Sequence, residues 1–155
     1  MNVEEIRARC EGILRRLPPQ VTVVAAAKDR SPEKIRAALA AGIRHVGENY
    51  VQEAERKKRA ISEPAVWHMI GRLQKNKAHK AAALFDWVQT VDSIELAQKL
   101  SAAATRLGRT LPVLIQVNIG REPQKAGVLP EHVFPLAEAI RALPGLELRG
   151  LMALP

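Results

Sequence analysis

Val21-Thr22-Val23-Val24-Ala25-Ala26-Ala27 is a run of seven small or β-branched residues that stops on Lys28. Five further short, mostly apolar runs follow it, at 43–49 (IRHVGEN), 65–71 (AVWHMIG), 86–91 (DWVQTV), 111–119 (LPVLIQVNI) and 147–154 (ELRGLMAL). Runs of this length and composition read as buried strands. Between them the apolar positions change to helical spacing. Val3, Ile6, Cys10, Ile13, Leu14 and Leu17 form one face of a helix over 3–17, which Pro18-Pro19 ends. Ser31-Pro32-Glu33 opens a second helix with a cap, a proline at the first helical position and an acid suited to the dipole. Ile35, Ala38 and Leu39 make its inner face and Gly42 closes it. Helices are predicted over 51–60 and 76–85, and another from Asp92 or Ser93 with Ile94, Ala97, Leu100, Ala104 and Leu107 facing inward. The segment 130–143 is predicted helical at least from Pro135, with its first turn separate because proline disfavours a helix interior.

Six alternations of strand and helix, without a hairpin signal, mean parallel pairing through crossover helices. Either an open doubly wound sheet or most of a (β/α)8 barrel fits. No GxGxxG follows the first strand and no GxxxxGK[ST] occurs, so the nucleotide-binding open sheets lose their main support. The expected fold is therefore α/β, a barrel of the TIM type, in a single domain over 1–155.

Composition narrows the function. The chain has 155 residues, 47% hydrophobic and 26% charged, which is ordinary for a globular protein. Its start carries acids where a signal peptide carries a basic region, and no apolar stretch approaches the ~20 residues of a membrane span. One cysteine, Cys10, forms no internal disulfide, and a cytoplasmic location is expected. The net charge of +8 raises nucleic acid as a partner, but the basic residues are scattered apart from RKKR at 56–59, and aromatics are 3%. Neither nucleic acid nor membrane is expected as a partner.

In a barrel, chemistry gathers at the C-terminal ends of the strands. Those ends carry Lys28, Glu48 and Asn49, His68 and Gly71, Thr90 and Asp92, Asn118, and Met152. Each has a structural explanation: His68 as a satisfied core histidine, Glu48, Asn49 and above all Asp92 as helix caps, Asn118 as a loop holder. Their convergence on one rim is what a small-molecule site requires. A lysine there has a chemical use, because a neutral amine attacks an aldehyde, and desolvation beside Ala26 and Ala27 favours the neutral form. Asp29 is expected on the opposite face by strand alternation. The four histidines show no HxxxH or HExxH spacing, and no GxSxG occurs, so metal and hydrolase sites find little support.

The segments AAAKDRSPEKIRAALAAGIRHVGENYVQEA, WHMIGRLQKNK, TVDS, VLIQVNI, KAG and LRGLMALP, in that order from about Val21 to Pro155, resemble the YggS/PROSC family. These are pyridoxal 5'-phosphate (PLP)-binding proteins related to the barrel domain of alanine racemase. The resemblance implies PLP as cofactor and a role in intracellular PLP (vitamin B6) homeostasis, with Lys28 forming a Schiff base with PLP. It implies Asn49 and His68 as pocket walls, Met152 at the rim of the sixth strand, and Lys125 in a secondary role in handling the cofactor. It also implies a carrier without robust catalysis, monomeric at full length, with PLP-dependent apo-enzymes as possible recipients. A weak PLP-dependent enzyme of the alanine racemase type is the alternative. Racemisation needs a second base, and the chain's one tyrosine is Tyr50.

Two departures from the family pattern bear on the site. Ala27 replaces a serine common before the lysine, and Arg72 stands where histidine is frequent. The family also continues beyond RGLM, as expected for a full barrel of ~250 residues. About six of eight βα units are thus expected here, without the Ser/Gly-rich and VRIG-like segments that grip the phosphate. Such a truncated or fragmentary reading frame leaves the first and sixth strands with unpaired edges, from which weaker PLP binding and self-association are expected.

Overall fold

Every strand pairs with the strand that follows it in the chain. The computed structural model describes all 155 residues. They form α1 (Val3–Arg16), β1 (Val24–Ala26), α2 (Pro32–Ala40), β2 (His45–Glu48), α3 (Val51–Ala60), β3 (Val66–Met69), α4 (Ala78–Leu84), β4 (Trp87–Val91), α5 (Ile94–Arg106), β5 (Leu111–Val117), α6 (Val133–Arg141) and β6 (Leu146–Ala153). The six strands make one sheet in the order β1-β2-β3-β4-β5-β6, all neighbours parallel. A doubly wound sheet reverses its strand order at a switch point; this one never does. The sequential order is that of a (β/α) barrel, with β1 and β6 as the two edges.

The sheet has two unlike faces. Val46, Trp67, Met69, Val88, Val113 and Ile115 point into a core of 27 buried residues, where they meet Ile35 and Leu39 of α2, Ala54 of α3, Ala81 of α4, Leu100 of α5 and Ile140 of α6. Alternation along each strand puts His45 and Gly47, His68, Trp87 and Gln89, and Gln116 on the opposite face. The first face is apolar except for the buried Glu48 at the end of β2 and supplies the stabilising burial, ~1.5–3 kcal/mol for each large apolar side chain removed from water. The second is polar and is the inner face of the barrel.

Helix starts follow their signals. Ser31 caps α2, its Oγ accepting from Lys34 N at 3.3 Å, with Pro32 at the first helical position. At the other end of α2, Gly42 follows the C-cap Ala41 at φ +112°, with Leu14 of α1 close by. Ser93 caps α5, accepting from Leu96 N at 3.1 Å. Asp92 is therefore not the cap; its Oδ2 accepts from Gly127 N at 3.1 Å and ties the β5–α6 loop to the end of β4. Glu48 and Asn49 are not caps either, since Tyr50 precedes α3 without a side-chain cap bond.

Three other expectations need correction, while the helix containing Pro135 and its separate first turn stand as expected. The first strand covers three residues, not the whole run from Val21, because only Val24–Ala26 find partners on β2; Val21 is 47% exposed. Helix α1 buries no residue fully, and Ile13 and Leu17 of its apolar face are exposed. Leu107 lies just past the end of α5 and is exposed. Pro135 is inside α6, as its third residue, after a separate 3-10 turn at Pro130–His132. The first-turn N–H groups of a helix have no partner within it, so the proline forfeits no hydrogen bond there.

Candidate functional site

Lys28 leaves β1 at its C-terminal end, two residues beyond Ala26, which pairs with Gly47. Continued alternation directs it to the inner face at the rim. It is exposed, not desolvated as its apolar approach predicts, because Ala26 beside it is itself exposed. Its Nζ lies over the ring of Tyr50, 5.7 Å from the centroid, and enters no ion pair. Asp29, next in the chain, has φ +61°. This left-handed conformation is one that Asp tolerates better than most residues, and it ends the strand sharply, so alternation does not extend to this residue.

The turn is held from behind. Lys57 of α3 is 2% exposed, and its Nζ donates to the carbonyl of Ala27 at 2.6 Å, to Glu48 Oε2 at 2.7 Å and to Glu53 Oε1 at 2.8 Å. Glu53 Oε1 also accepts from Asp29 N at 2.9 Å. Glu48 is completely buried, with Oε1 left without a partner. Burial pushes the Glu48 carboxyl above the usual carboxylate range, against the pull of Lys57, while the Lys57 hydrogen bond holds Glu53 below it. Sequence reasoning missed Lys57 by reading it as one member of RKKR at 56–59. That run is the end of α3 itself; Lys58 also turns inward, donating to Leu84 O at 2.6 Å. The available signal was the i, i+4 spacing of Glu53 and Lys57, which places an acid and a base on one helix face.

Asn49 follows β2 and is half-buried. Gly71 packs directly on it: a Cβ on Gly71 would lie 2.4 Å from Asn49 O, so only glycine fits. Thr90 Oγ1 donates to Gly71 O at 2.8 Å, fastening the same crossing from β4. Asn49 and Arg72 belong to an open cleft between the β2–α3 and β3–α4 connections that also includes Tyr50, Lys75, Lys77 and Asp92.

His68 is 4% exposed on the inner face. Its Nδ1 meets Gln89 Nε2 at 3.0 Å and its Nε2 meets His45 Nδ1 at 2.9 Å. With the Gln89 amide donating, His68 carries its proton on Nε2 and donates to His45. The ring stacks on Trp87 at 5.5 Å, and the Arg149 guanidinium lies over Trp87 at 5.4 Å. Burial first, and the facing His45 second, lower the His68 pKa to about 4, with Asp86 opposing. Both ring nitrogens are thus engaged within the protein, and the buried ring favours its neutral form.

The remaining two residues sit elsewhere. Met152 is half-buried on β6, paired with Gln116 of β5. Lys125 is exposed in the β5–α6 loop, with its Nζ 2.8 Å from Glu122 Oε2 and 3.4 Å from Pro155 O. Asn118 holds this loop, its Nδ2 donating to Glu122 O at 2.7 Å and its Oδ1 accepting from Glu122 N at 3.2 Å. The structure thus groups Lys28, Asn49 and His68 on β1–β3 and Lys125 and Met152 at β5–β6, and no hydrogen bond or ion pair joins the two groups.

Comparison with known proteins agrees with this fold. The model of the alanine racemase N-terminal domain matches residues 1–154. The pyridoxal phosphate homeostasis protein of Pseudomonas aeruginosa is 40% identical, with 99% of this chain and 69% of that protein aligned. Its namesake in Vibrio cholerae is 43% identical over the same shares. Among solved structures, PipY of Synechococcus elongatus PCC7942 with PLP bound superposes with a TM-score of 0.89 at 38% identity, covering 97% of this chain and 70% of PipY. Alanine racemase of Clostridium difficile 630 shares the fold at a TM-score of 0.80 and 16% identity, covering 98% of this chain and 40% of that one. Fold and rim together define a partial (β/α) barrel with a lysine at the exit of its first strand. The chain belongs to the alanine racemase N-terminal-domain family, on the branch of the pyridoxal phosphate homeostasis proteins.

Proposed function

We propose that this chain binds PLP and serves PLP homeostasis, with Lys28 as the covalent anchor of the cofactor. The observation that carries this reading is the placement of Lys28: an amine at the inner rim, free of any ion pair, on a turn fixed by Lys57 and Glu53. The relatives' names and the PLP bound to PipY support it. PLP supplies an aldehyde to such a site, and an amine condenses with it, losing water. Lys28 would provide that amine, Asn49 the neighbouring wall at the rim, and His68 an uncharged surface below it. Met152 and Lys125 would act from the β5–β6 side, Lys125 on release from Glu122. Tyr50, whose ring lies under the Lys28 amine, would form part of the surface on which the cofactor rests. Transfer of PLP to apo-enzymes in the cytoplasm belongs to the same reading.

The test is titration of the 155-residue chain with PLP, followed by absorbance, then borohydride reduction and peptide mass mapping. A saturable adduct confined to Lys28 and absent from Lys28→Ala is the expected result. Adducts spread over many lysines, unchanged in Lys28→Ala, would overturn it. Because Lys28 is exposed, its replacement should change stability by no more than ~0.5 kcal/mol, so a lost adduct is not a folding defect.

A further inference from the structure

We propose that Glu53 and Lys57 of α3 are positioning residues for Lys28, gripping the peptide groups on either side of it and so fixing the exit of β1 from which its side chain reaches the rim. The inference rests on the reading of Lys28 as the PLP anchor. Its observations are geometric. The carbonyl before Lys28, that of Ala27, accepts from Lys57 Nζ at 2.6 Å. The amide after it, that of Asp29, donates to Glu53 Oε1 at 2.9 Å. Lys57 and Glu53 are themselves joined at 2.8 Å, one turn apart on the helix. The clamp is thus a closed circuit of main chain and side chain around one residue.

A purely structural ion pair accounts for less. Lys57 and Glu48 alone would neutralise each other in the interior, but that pairing requires neither the third bond to Ala27 nor the reach of Glu53 to Asp29. The construction is also costly. Buried ion pairs recover their desolvation only with full hydrogen bonding, and Glu48 Oε1 has no partner. Asp29 adds a left-handed conformation at φ +61°, which Asp tolerates better than most residues but which is still uncommon outside glycine. Two unfavourable features meeting at the turn beside one exposed lysine indicate that the position of that lysine is what they maintain. Tyr50, over which Nζ lies, immediately precedes α3. The same helix therefore sets both the backbone of Lys28 and the surface under its amine.

The test compares wild type, Glu53→Ala and Glu53→Gln by amide hydrogen exchange without cofactor, and by the rate of borohydride-trapped PLP on Lys28 relative to exposed Lys80. Glu53→Ala is expected to speed exchange of the Asp29 amide at least tenfold and to slow Lys28 labelling about tenfold. Val88 and Val113 in the core should keep their protection. Glu53→Gln, which retains the acceptor for Asp29 N, is expected to restore both quantities to within about threefold. Glu53→Asp, which withdraws the carboxylate by one methylene, should behave as Glu53→Ala does and serves in its place if that variant does not fold. Unchanged Asp29 exchange, or unchanged relative labelling of Lys28, in a folded variant would overturn the proposal. Failure of the wild type to take PLP at Lys28 overturns the functional reading instead, and the exchange data continue to judge the clamp separately.

Discussion

His45 and His68, 23 positions apart in the chain, meet through Nδ1 and Nε2 at 2.9 Å across the β2–β3 pairing. The contact admits one proton between the two nitrogens, and a further proton on His68 would place a cation in a buried site and displace the Gln89 amide from its Nδ1. Desolvation and this neighbour hold the His68 pKa at about 4, below the usual 6.5. Between those values an unfolded chain carries a proton on this histidine that the folded chain does not, so stability rises with pH through the window. The contribution is present above pH ~6.5 and is lost as pH falls toward 4, amounting to about 3 kcal/mol. Urea unfolding at pH 7 and pH 4 should show His68→Gln losing about that much less than wild type.

Removing one member of the Glu48–Lys57 pair should be harsher than removing both. Lys57→Met leaves a buried carboxyl without its cation and is expected to cost about 3–5 kcal/mol. The double change Glu48→Met with Lys57→Met fills the space with apolar atoms and should be more stable than Lys57→Met alone. A double-mutant cycle by chemical denaturation reads the coupling. If the double variant is the less stable, the pair is not the unit of stabilisation.

Gly71→Ala should be destabilising although only a methyl group is added. The new Cβ would lie 2.4 Å from Asn49 O, which is backbone and does not swing aside. Overpacking of this kind costs about 1–3 kcal/mol. Thermal unfolding measures the loss, and the Asn49 amide resonance should shift in the folded fraction.

The two phenylalanines offer an internal contrast. Phe85 is completely buried between helices and sheet, whereas Phe134 is 81% exposed on α6. Phe85→Ala is expected to cost about 3–5 kcal/mol, and Phe134→Ala no more than ~0.5 kcal/mol. Equal effects in denaturant melts would contradict the burial pattern.

The strands were legible because parallel strands covered by helices on one face leave apolar runs, and the helices because Ser31, Pro32, Gly42 and Ser93 use ordinary capping chemistry. The barrel order followed from the alternation of strand and helix and from the lack of nucleotide-binding loops. Other features depended on information the one-dimensional pattern does not carry. Val21 and Thr22 look like strand but find no partner. His45 and His68 have no recognisable spacing because strand register alone brings them together. Lys57, inside RKKR, resembled a solvated charge. Only the path of α3 over the end of β1 shows that it is buried, and that Glu48 is its counter-ion and not a cap.

The sequential order of the sheet also sets how the chain can assemble. Pairing Val24 with His45, or His45 with Val66, closes a loop of about twenty residues; pairing Val113 with Leu148 closes one of about thirty-five. Closure entropy grows only with the logarithm of loop length, so these steps differ by less than ~1 kcal/mol. No step must bring the two ends of the chain together before the others are rewarded. Assembly can proceed from any pair of adjacent units outward, and the turn bearing Lys28 becomes fixed once α3 docks, whether or not the distant β5–β6 pair has formed.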